Sequence, residues 1–293
     1  MRIALYGTEA KKEFFPVYSR IFQFFKENHI EFILSSRVKE DLTRIGAFNL
    51  NDIPSFDKTL NQCAPIDLLL SIGGDGTFLN AVSYTLEKQI PIAGVNCGRL
   101  GFLADINAED IELAILQFIH GEYTLEERSL LQLIEPTHLF SEFNYAMNEL
   151  TVHKLDNSSM IKIETLINGQ FLANYWADGL IIATPTGSTA YSLSVGGPIV
   201  TPDLAGLLIT PIASHLLTVR PVIVPDDVEI DIWIEGRGNQ YLVSIDHRSA
   251  PLDFSTPIKI RKAPVSASIV KLKGHSFYST IRNKLMWGAD NRN

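Results

Sequence analysis

A chain of 293 residues buries a sizeable core and, at roughly 150 residues per domain, has the length of two domains. Its 46% hydrophobic and 20% charged residues describe an ordinary folded protein, and a net charge of −8 argues against a nucleic-acid partner while allowing a local basic site for a phosphorylated small molecule. The two cysteines, Cys63 and Cys97, form no Cys-x-x-Cys pair, which excludes a disulfide framework and a cysteine-based zinc site and points to a reducing compartment.

The apolar run over 2–6 is too short for a secretory core and meets charge at once, so it is read as a first central strand. Gly7-Thr8 then turns the chain into a helix over 11–28, where Phe14, Val17, Tyr18, Ile21, Phe24 and Phe25 keep a helical period. A short strand over 31–34 and a helix over 38–45 follow, and the polar, proline-broken stretch 49–62 is read as a mobile connection. A buried strand over 67–72 runs into Gly73-Gly74-Asp75-Gly76-Thr77 and a helix over 78–86. The glycines let the backbone approach a ligand, the N–H groups of Gly76 and Thr77 face an anion, and Asp75 stands in the middle of the turn. A lone carboxylate beside such a turn suits phosphoryl transfer through a bridging cation or a donating hydroxyl; the bland alternative is a helix cap. A strand over 92–95 opens into a second glycine loop, from Asn96 through Gly98, Arg99 and Gly101 to Leu103. Alternating strand and helix predict an open, mostly parallel sheet whose ligands sit at the strands' carboxyl ends, with both loops lining one crevice.

A helix over 109–120, capped by Asn107 and closed by Gly121, ends this pattern. Strands are then predicted over 130–135, 146–152, 161–167, 171–177, 180–184, 228–234, 241–245, 258–262 and 266–270, with Asn168-Gly169 and 236–239 as hairpin turns. The apolar stretch 205–219 is broken by Pro211, Ser214 and His215 and falls short of a membrane span. The expectation is an α/β domain over 1–122, an antiparallel β domain over 123–272, and a helical tail over 273–293 that packs on the first domain.

No glycine loop carries the Walker lysine, and the Gly-x-Gly-x-x-Gly dinucleotide fingerprint fails after Gly76. The seven scattered histidines lack a His-Glu-x-x-His pair, and Gly187-Ser188-Thr189 lacks the hydrolase elbow. Two further groupings remain. Thr184-Pro185-Thr186-Gly187-Ser188-Thr189-Ala190-Tyr191-Ser192 packs hydroxyls onto a turn after a buried strand, offering donors and acceptors to a ribose, amide or phosphate, or simple turn chemistry. Asn148-Glu149 sets a carboxamide and a carboxylate inside an apolar stretch, either to read hydroxyls or an amide or as an edge-strand polar pair.

Together the Gly-Gly-Asp-Gly-Thr turn, the second glycine loop, Asn148-Glu149, and Asp178-Gly179 followed by the Thr-Pro-Thr-Gly-Ser-Thr-Ala-Tyr block resemble the NAD kinase family in order and spacing over nearly the whole chain. The last block discriminates, because lipid kinases and phosphofructokinases share the glycine turn. The resemblance implies transfer of the γ-phosphoryl group of ATP to the 2′-hydroxyl of the adenosine ribose of NAD, with a divalent metal ion such as Mg²⁺. It implies that Asp75 accepts the hydroxyl proton and that Gly76, Asn148, Glu149 and Asp178 bind NAD. Thr186, Thr189, Ala190, Tyr191, Ser192, Leu193 and Ser194 would line the adenine and ribose pocket, with Ala213 a weaker match. Gly73, Gly74, Thr77, Gly98 and Arg99 would form the phosphate loops, with Arg99, at a variable position, either supplying positive charge to a phosphate or only covering the loop. Family members often carry Asp-Gly where this chain has Asp246-His247, which makes His247 a residue stacking on the ligand or a surface substitution. The resemblance also implies a homotetramer or homodimer, and the composition a cytoplasmic address with no membrane contact. A carboxylate is a weak base toward a sugar hydroxyl, so the acid of such a site chiefly aligns the nucleophile and takes its proton late.

Overall fold

The computed structural model describes residues 1–46, 48–98, 101–137, 139–140, 143–155 and 159–288. The chain divides into two units, Met1–Glu127 with Ala267–Asn293, and Arg128–Ser266. In the first, strands β1 (Arg2–Tyr6), β2 (Glu31–Ser35), β3 (Ser55–Phe56), β4 (Leu68–Gly73), β5 (Ile92–Asn96) and β6 (Ile106–Asn107) are all parallel, with β5-β4-β1-β2-β3 as the order across the sheet. Strands of a parallel sheet are covered on both faces and so read as continuous apolar runs, and Leu68–Gly73 is buried at every position. Helices α1 (Phe15–Glu27), α2 (Ser36–Arg44), α3 (Asp75–Val82) and α4 (Ile111–Ile119) join these strands. Tyr18, Ile21 and Phe25 of α1 pack with Ile3, Leu5 and Leu34, as the helical spacing predicts.

Three local expectations change. The stretch read as a mobile connection contains β3, which pairs with β2 and buries Phe56 against Tyr84, ring centroids 5.5 Å apart. The helix after the glycine turn starts at Asp75 itself. Asn107 does not cap: its amide donates to Asp110, and a 3-10 turn over Ala108–Asp110 precedes α4.

The second unit is antiparallel. Its strands are β7 (Tyr123–Glu135), β8 (Tyr145–Ala146), β9 (Glu149–Lys154), β10 (Ile161–Ile167), β11 (Gln170–Ala177), β12 (Gly179–Ala183), β13 (Gly206–Ile212), β14 (Val222–Pro225), β15 (Glu229–Glu235), β16 (Gln240–Ile245), β17 (Arg248–Asp253) and β18 (Ile258–Leu272). One sheet runs β14-β13-β12-β9-β16-β17, and β11-β10-β15-β18 run side by side in another. Leu150, Val152, Leu180, Ile182, Ile209, Ile230, Ile232, Tyr241 and Val243 form its core. The one-turn helix α5 (Tyr191–Ser194) follows a 3-10 turn over Thr186–Thr189, and α6 (Phe277–Leu285) belongs to the first unit.

Asn168 (φ 50°) and Gly169 (φ 75°) make the expected hairpin between β10 and β11. The turn over 236–239 is not a hairpin, because β15 and β16 lie in different sheets. The apolar stretch after 205 holds β13, buried along its whole length, and β17 escapes sequence reading because none of its residues is buried and its RSAPLD sequence carries little apolar alternation. The expected strand over 146–152 breaks at Met147-Asn148, and those over 258–262 and 266–270 are one strand. The unit boundaries fall inside β7 and β18 rather than at 122 and 272, and Ile269 of β18 is the parallel partner of Ile92 in β5.

Candidate active site

In the first unit the parallel strand β4 delivers the glycine turn. Gly73 has φ 155° and packs against Thr77, whose Oγ1 would lie 2.4 Å from any added Cβ. Gly74 precedes α3 in extended conformation, and Asp75 opens the helix, where the helix dipole favours a carboxylate. The Asp75 carboxylate does not cap its own helix. Oδ2 accepts the N–H of Phe102 at 2.9 Å, while Oδ1 accepts those of Leu103 at 3.1 Å and Ala104 at 2.9 Å. The second glycine loop is therefore a nest of backbone donors wrapped around the acid of the first. Gly101 makes this wrap possible, since a Cβ there would sit 1.9 Å from Asp75 Oδ1. From α6, Lys284 places its ammonium 3.7 Å from Oδ2 and 4.5 Å above the Phe102 ring. Gly74 and Gly76 are exposed, and Thr77 Oγ1 lies 3.3 Å from the Thr8 hydroxyl. Gly98 donates to the Asn96 side chain at 2.6 Å; Arg99 lies outside the described residues.

In the second unit Asn148 and Glu149 stand at the start of β9. Glu149 is buried, its carboxylate takes the backbone N–H of Tyr191, and its Oε2 has no partner among the described residues. Burial first, and then the neighbouring Asp246 carboxylate, push the Glu149 carboxyl up to about 8, against the opposing effect of the Tyr191 N–H. Burial also raises Asp246, although it accepts N–H groups from Met147, Asn148 and Glu149.

The hydroxyl block closes over this segment. Thr184 donates to Met147 O at 2.6 Å and accepts from Gly187 N at 3.1 Å; Gly187 packs so tightly on the Asn148 carbonyl that a Cβ would lie 2.1 Å from it. Thr186 Oγ1 accepts from Arg128 at 3.3 Å, Thr189 donates to Thr186 O at 3.3 Å, and the buried Ser192 hydroxyl lies 2.9 Å from that of Thr210. Thr186 and Ser192 thus spend their hydroxyls on the scaffold, while Ala190, Tyr191, Leu193 and Ser194 are at least partly open to solvent. Asp178 pairs with Lys154 at 2.6 Å, and its N–H donates to Ile212 O, which sets it beside Ala213 at the end of β13. Ala213 is exposed with φ 47°. His247 is exposed in the turn between β16 and β17, and partial burial, then the nearby Arg248, lower its pKa against the opposing Asp246. Lys284, Asp246 and the 102–104 backbone are the contacts that sequence reading did not assign. Each had a signal without a role: Asp246 as half of the Asp-His departure, Phe102-Leu103 as the end of the second glycine loop, and Lys284 at the head of a tail, 284–288, that shares the family resemblance.

Among the described residues no three His, Cys, Asp or Glu side chains are grouped to hold a metal ion. Asp75 already accepts three N–H groups and faces a lysine, so this donor set does not fit a resident divalent cation.

An acid held in a glycine turn on a parallel-sheet unit, in one chain with an antiparallel β unit bearing a polar, partly buried platform, defines the class of small-molecule kinases. Residues 3–123 match the ATP-NAD kinase N-terminal domain and residues 147–272 the ATP-NAD kinase C-terminal domain. The chain is 44% identical over 295 residues to the NAD kinase of Flavobacterium johnsoniae, covering all of both sequences, and 48% identical over 256 residues to that of Bacteroides fragilis, covering 87% of this chain and 86% of the relative. It resembles the crystal structure of yeast NADH kinase complexed with NADH (TM-score 0.83, 25% identity, 99% of this chain and 88% of that one). An NAD kinase from Archaeoglobus fulgidus in complex with ATP shares the fold (TM-score 0.76, 24% identity, 98% and 99% covered). The chain belongs to the ATP-NAD kinase family.

Proposed function

We propose that this protein is an NAD kinase: it transfers the γ-phosphoryl group of ATP to the 2′-hydroxyl of the adenosine ribose of NAD, giving NADP and ADP. Family membership over both domains and relatives of full length support the activity. The observation that carries the mechanism is the Asp75 carboxylate, immobilised by three backbone N–H groups so that one orientation is presented to a nucleophile. Oδ1 takes two N–H groups; Oδ2 takes one, with the Lys284 ammonium 3.7 Å away, and is the oxygen assigned to the nucleophile. It accepts a hydrogen bond from the 2′-hydroxyl, aligns that oxygen for in-line attack, and receives its proton late in a loose transition state.

Asn148 and Glu149 hold NAD, Glu149 through ribose hydroxyls, and Asp178 reads the nicotinamide end. Thr186, Thr189, Ala190, Tyr191, Ser192, Leu193 and Ser194 shape the adenine and ribose pocket, the two buried hydroxyls of Thr186 and Ser192 by fixing the backbone rather than by touching the ligand. Ala213 and His247 complete it. Gly73, Gly74, Gly76, Thr77 and Gly98 leave backbone room for phosphates, and Lys284 offsets the repulsion between Asp75 and a triphosphate. Mg²⁺ keeps most of its waters and binds substrate phosphates, so it arrives with ATP as part of the substrate and neutralises phosphate charge there. We place the enzyme in the cytoplasm on its composition, and as a homotetramer or homodimer as the family resemblance implies; among the described residues no helix is long and apolar enough to cross a membrane. The test is NADP formation from NAD, ATP and Mg²⁺. Absence of NADP with the wild-type protein overturns the assignment.

A further inference from the structure

Met147 and Asn148 lie in the gap between β8 and β9, where the sheet ladder supplies no hydrogen bonds. Buried backbone groups must still be satisfied, and here each partner is identifiable. The carbonyls of Met147 and Asn148 are taken by the side chain and the N–H of Thr184, at 2.6 and 2.9 Å. The three N–H groups of Met147, Asn148 and Glu149 all go to the Asp246 carboxylate, at 2.9, 2.8 and 3.3 Å, and the Asp246 N–H returns to Glu149 O at 2.9 Å. Asp246 reaches them from the two-residue turn between β16 and β17 in left-handed conformation, φ 50°. Arg248, the first residue of β17, donates to Phe143 O and to Tyr145 O and lies 4.7 Å over the Phe143 ring.

We propose that Asp246 is a positioning residue: its carboxylate replaces the missing ladder and fixes the main chain of Met147, Asn148 and Glu149, so that the Asn148 and Glu149 side chains are presented to NAD. This rests on the NAD-binding role given to that pair above. A residue needed only for the turn would be served as well by glycine, which adopts positive φ freely, or by asparagine, which tolerates it. A carboxylate, in contrast, accepts several N–H bonds at once, and charge-assisted bonds are the strong ones. The same placement gives the pair an electrostatic signature. Glu149 faces Asp246 from the turn and the Tyr191 N–H from α5, while Arg248 and His247 bear on Asp246. Removing the Asp246 charge therefore lowers the pH at which Glu149 ionises.

The test uses the full chain as wild type, Asp246→Asn and Asp246→Gly. NAD binding is followed by calorimetric titration from pH 6 to pH 9, with amide hydrogen exchange alongside. Both variants should keep the wild-type melting behaviour to within a few degrees and lose NAD affinity by about tenfold or more. In both, the amides of Met147, Asn148 and Glu149 should exchange far faster while those of β12 and β13 stay protected, and the midpoint of the pH dependence of binding should fall in Asp246→Asn. Variants that bind NAD within twofold of wild type with an unchanged midpoint reduce Asp246 to a turn former and overturn the inference. So does rapid exchange of these three amides in the wild-type protein, which decides the matter even if the variants fail to fold. A wild-type protein that shows protected amides but binds no NAD refutes the functional reading instead, and with it the presentation of the pair to that ligand.

Discussion

In the proposed mechanism Asp75 acts through its orientation more than through its basicity, held as it is by three backbone N–H groups. Replacing it by asparagine puts an N–H donor where backbone donors already point, and removes the proton acceptor. Asp75→Asn should fold and retain much of its NAD affinity but lose turnover by about two or more orders of magnitude, measured as NADP formed at saturating substrates. Near-normal turnover would remove Asp75 from the mechanism. Gly101 tests the same geometry without touching the acid. A methyl group 1.9 Å from Oδ1 must displace the carboxylate or the loop, so Gly101→Ala should lower kcat by about a hundredfold with NAD affinity nearly unchanged. If kcat is unaffected, the hold of residues 102–104 on the acid is dispensable.

At the scale of elements, the loop that carries those N–H groups is anchored one residue further on. Asp105 is buried and paired with Lys271 of β18 at 2.5 Å, with His275 Nδ1 3.7 Å away. Burial works to raise the Asp105 carboxyl, but His275 and Lys271 together hold it below the usual carboxylate range, and Asp105 in turn raises His275. The signs are opposite in pH. Asp105 contributes stability that is present above its unfolded pKa and lost as pH falls through its lowered folded value. The half-exposed His275 contributes, more weakly for solvent screening, below an unfolded pKa near 6.5 and loses its share as pH rises through its raised folded value. The melting temperature should therefore fall on acidification below about pH 4, and Lys271→Met should remove most of the Asp105 share of that dependence. That variant leaves a buried carboxylate without its cation, a change that costs about 3–5 kcal/mol and is read by urea unfolding at pH 7. An unchanged unfolding midpoint would show that the pair is solvated. The helix α6 has its own anchor, a capping box in which Ser276 and Ser279 bond reciprocally. Ser276→Ala should cost about 1 kcal/mol and, because α6 carries Lys284 to Asp75, should lower turnover more than NAD affinity.

At the scale of the whole molecule, each unit has its own apolar core, one built on Ile3, Tyr18, Phe25 and Leu70, the other on Leu150, Ile182, Ile230 and Tyr241. A ligand that binds only the folded chain stabilises it by mass action, so NAD at about 100 times its Kd should add about 2.7 kcal/mol to the stability of the part that holds it. Scanning calorimetry with and without NAD reads this as an upward shift of melting temperature. No shift at any NAD concentration would argue against a site in the folded protein.

The parallel and antiparallel halves were legible because their strands differ in pattern: runs such as 68–72, buried on both faces, against alternations such as 161–167, covered on one. The helix of 15–27 and the Asn168-Gly169 turn were legible for the same local reason. Strand β17 was not, since its six residues are half exposed, and neither was the placement of β15 and β16 in separate sheets, which no turn sequence encodes. The amino-acid sequence by itself singled out the side chains proposed to carry the chemistry, Asp75 in its glycine turn and the Asn148-Glu149 pair, because residue identity and spacing are local properties. Only the tertiary structure decided what holds them. The donors on Asp75 are main-chain groups 27 to 29 residues away, and the acceptor for residues 147–149 is a carboxylate 97 to 99 residues downstream. Backbone N–H groups look alike at every position, so which of them meets which carboxylate is settled by the path of the folded chain.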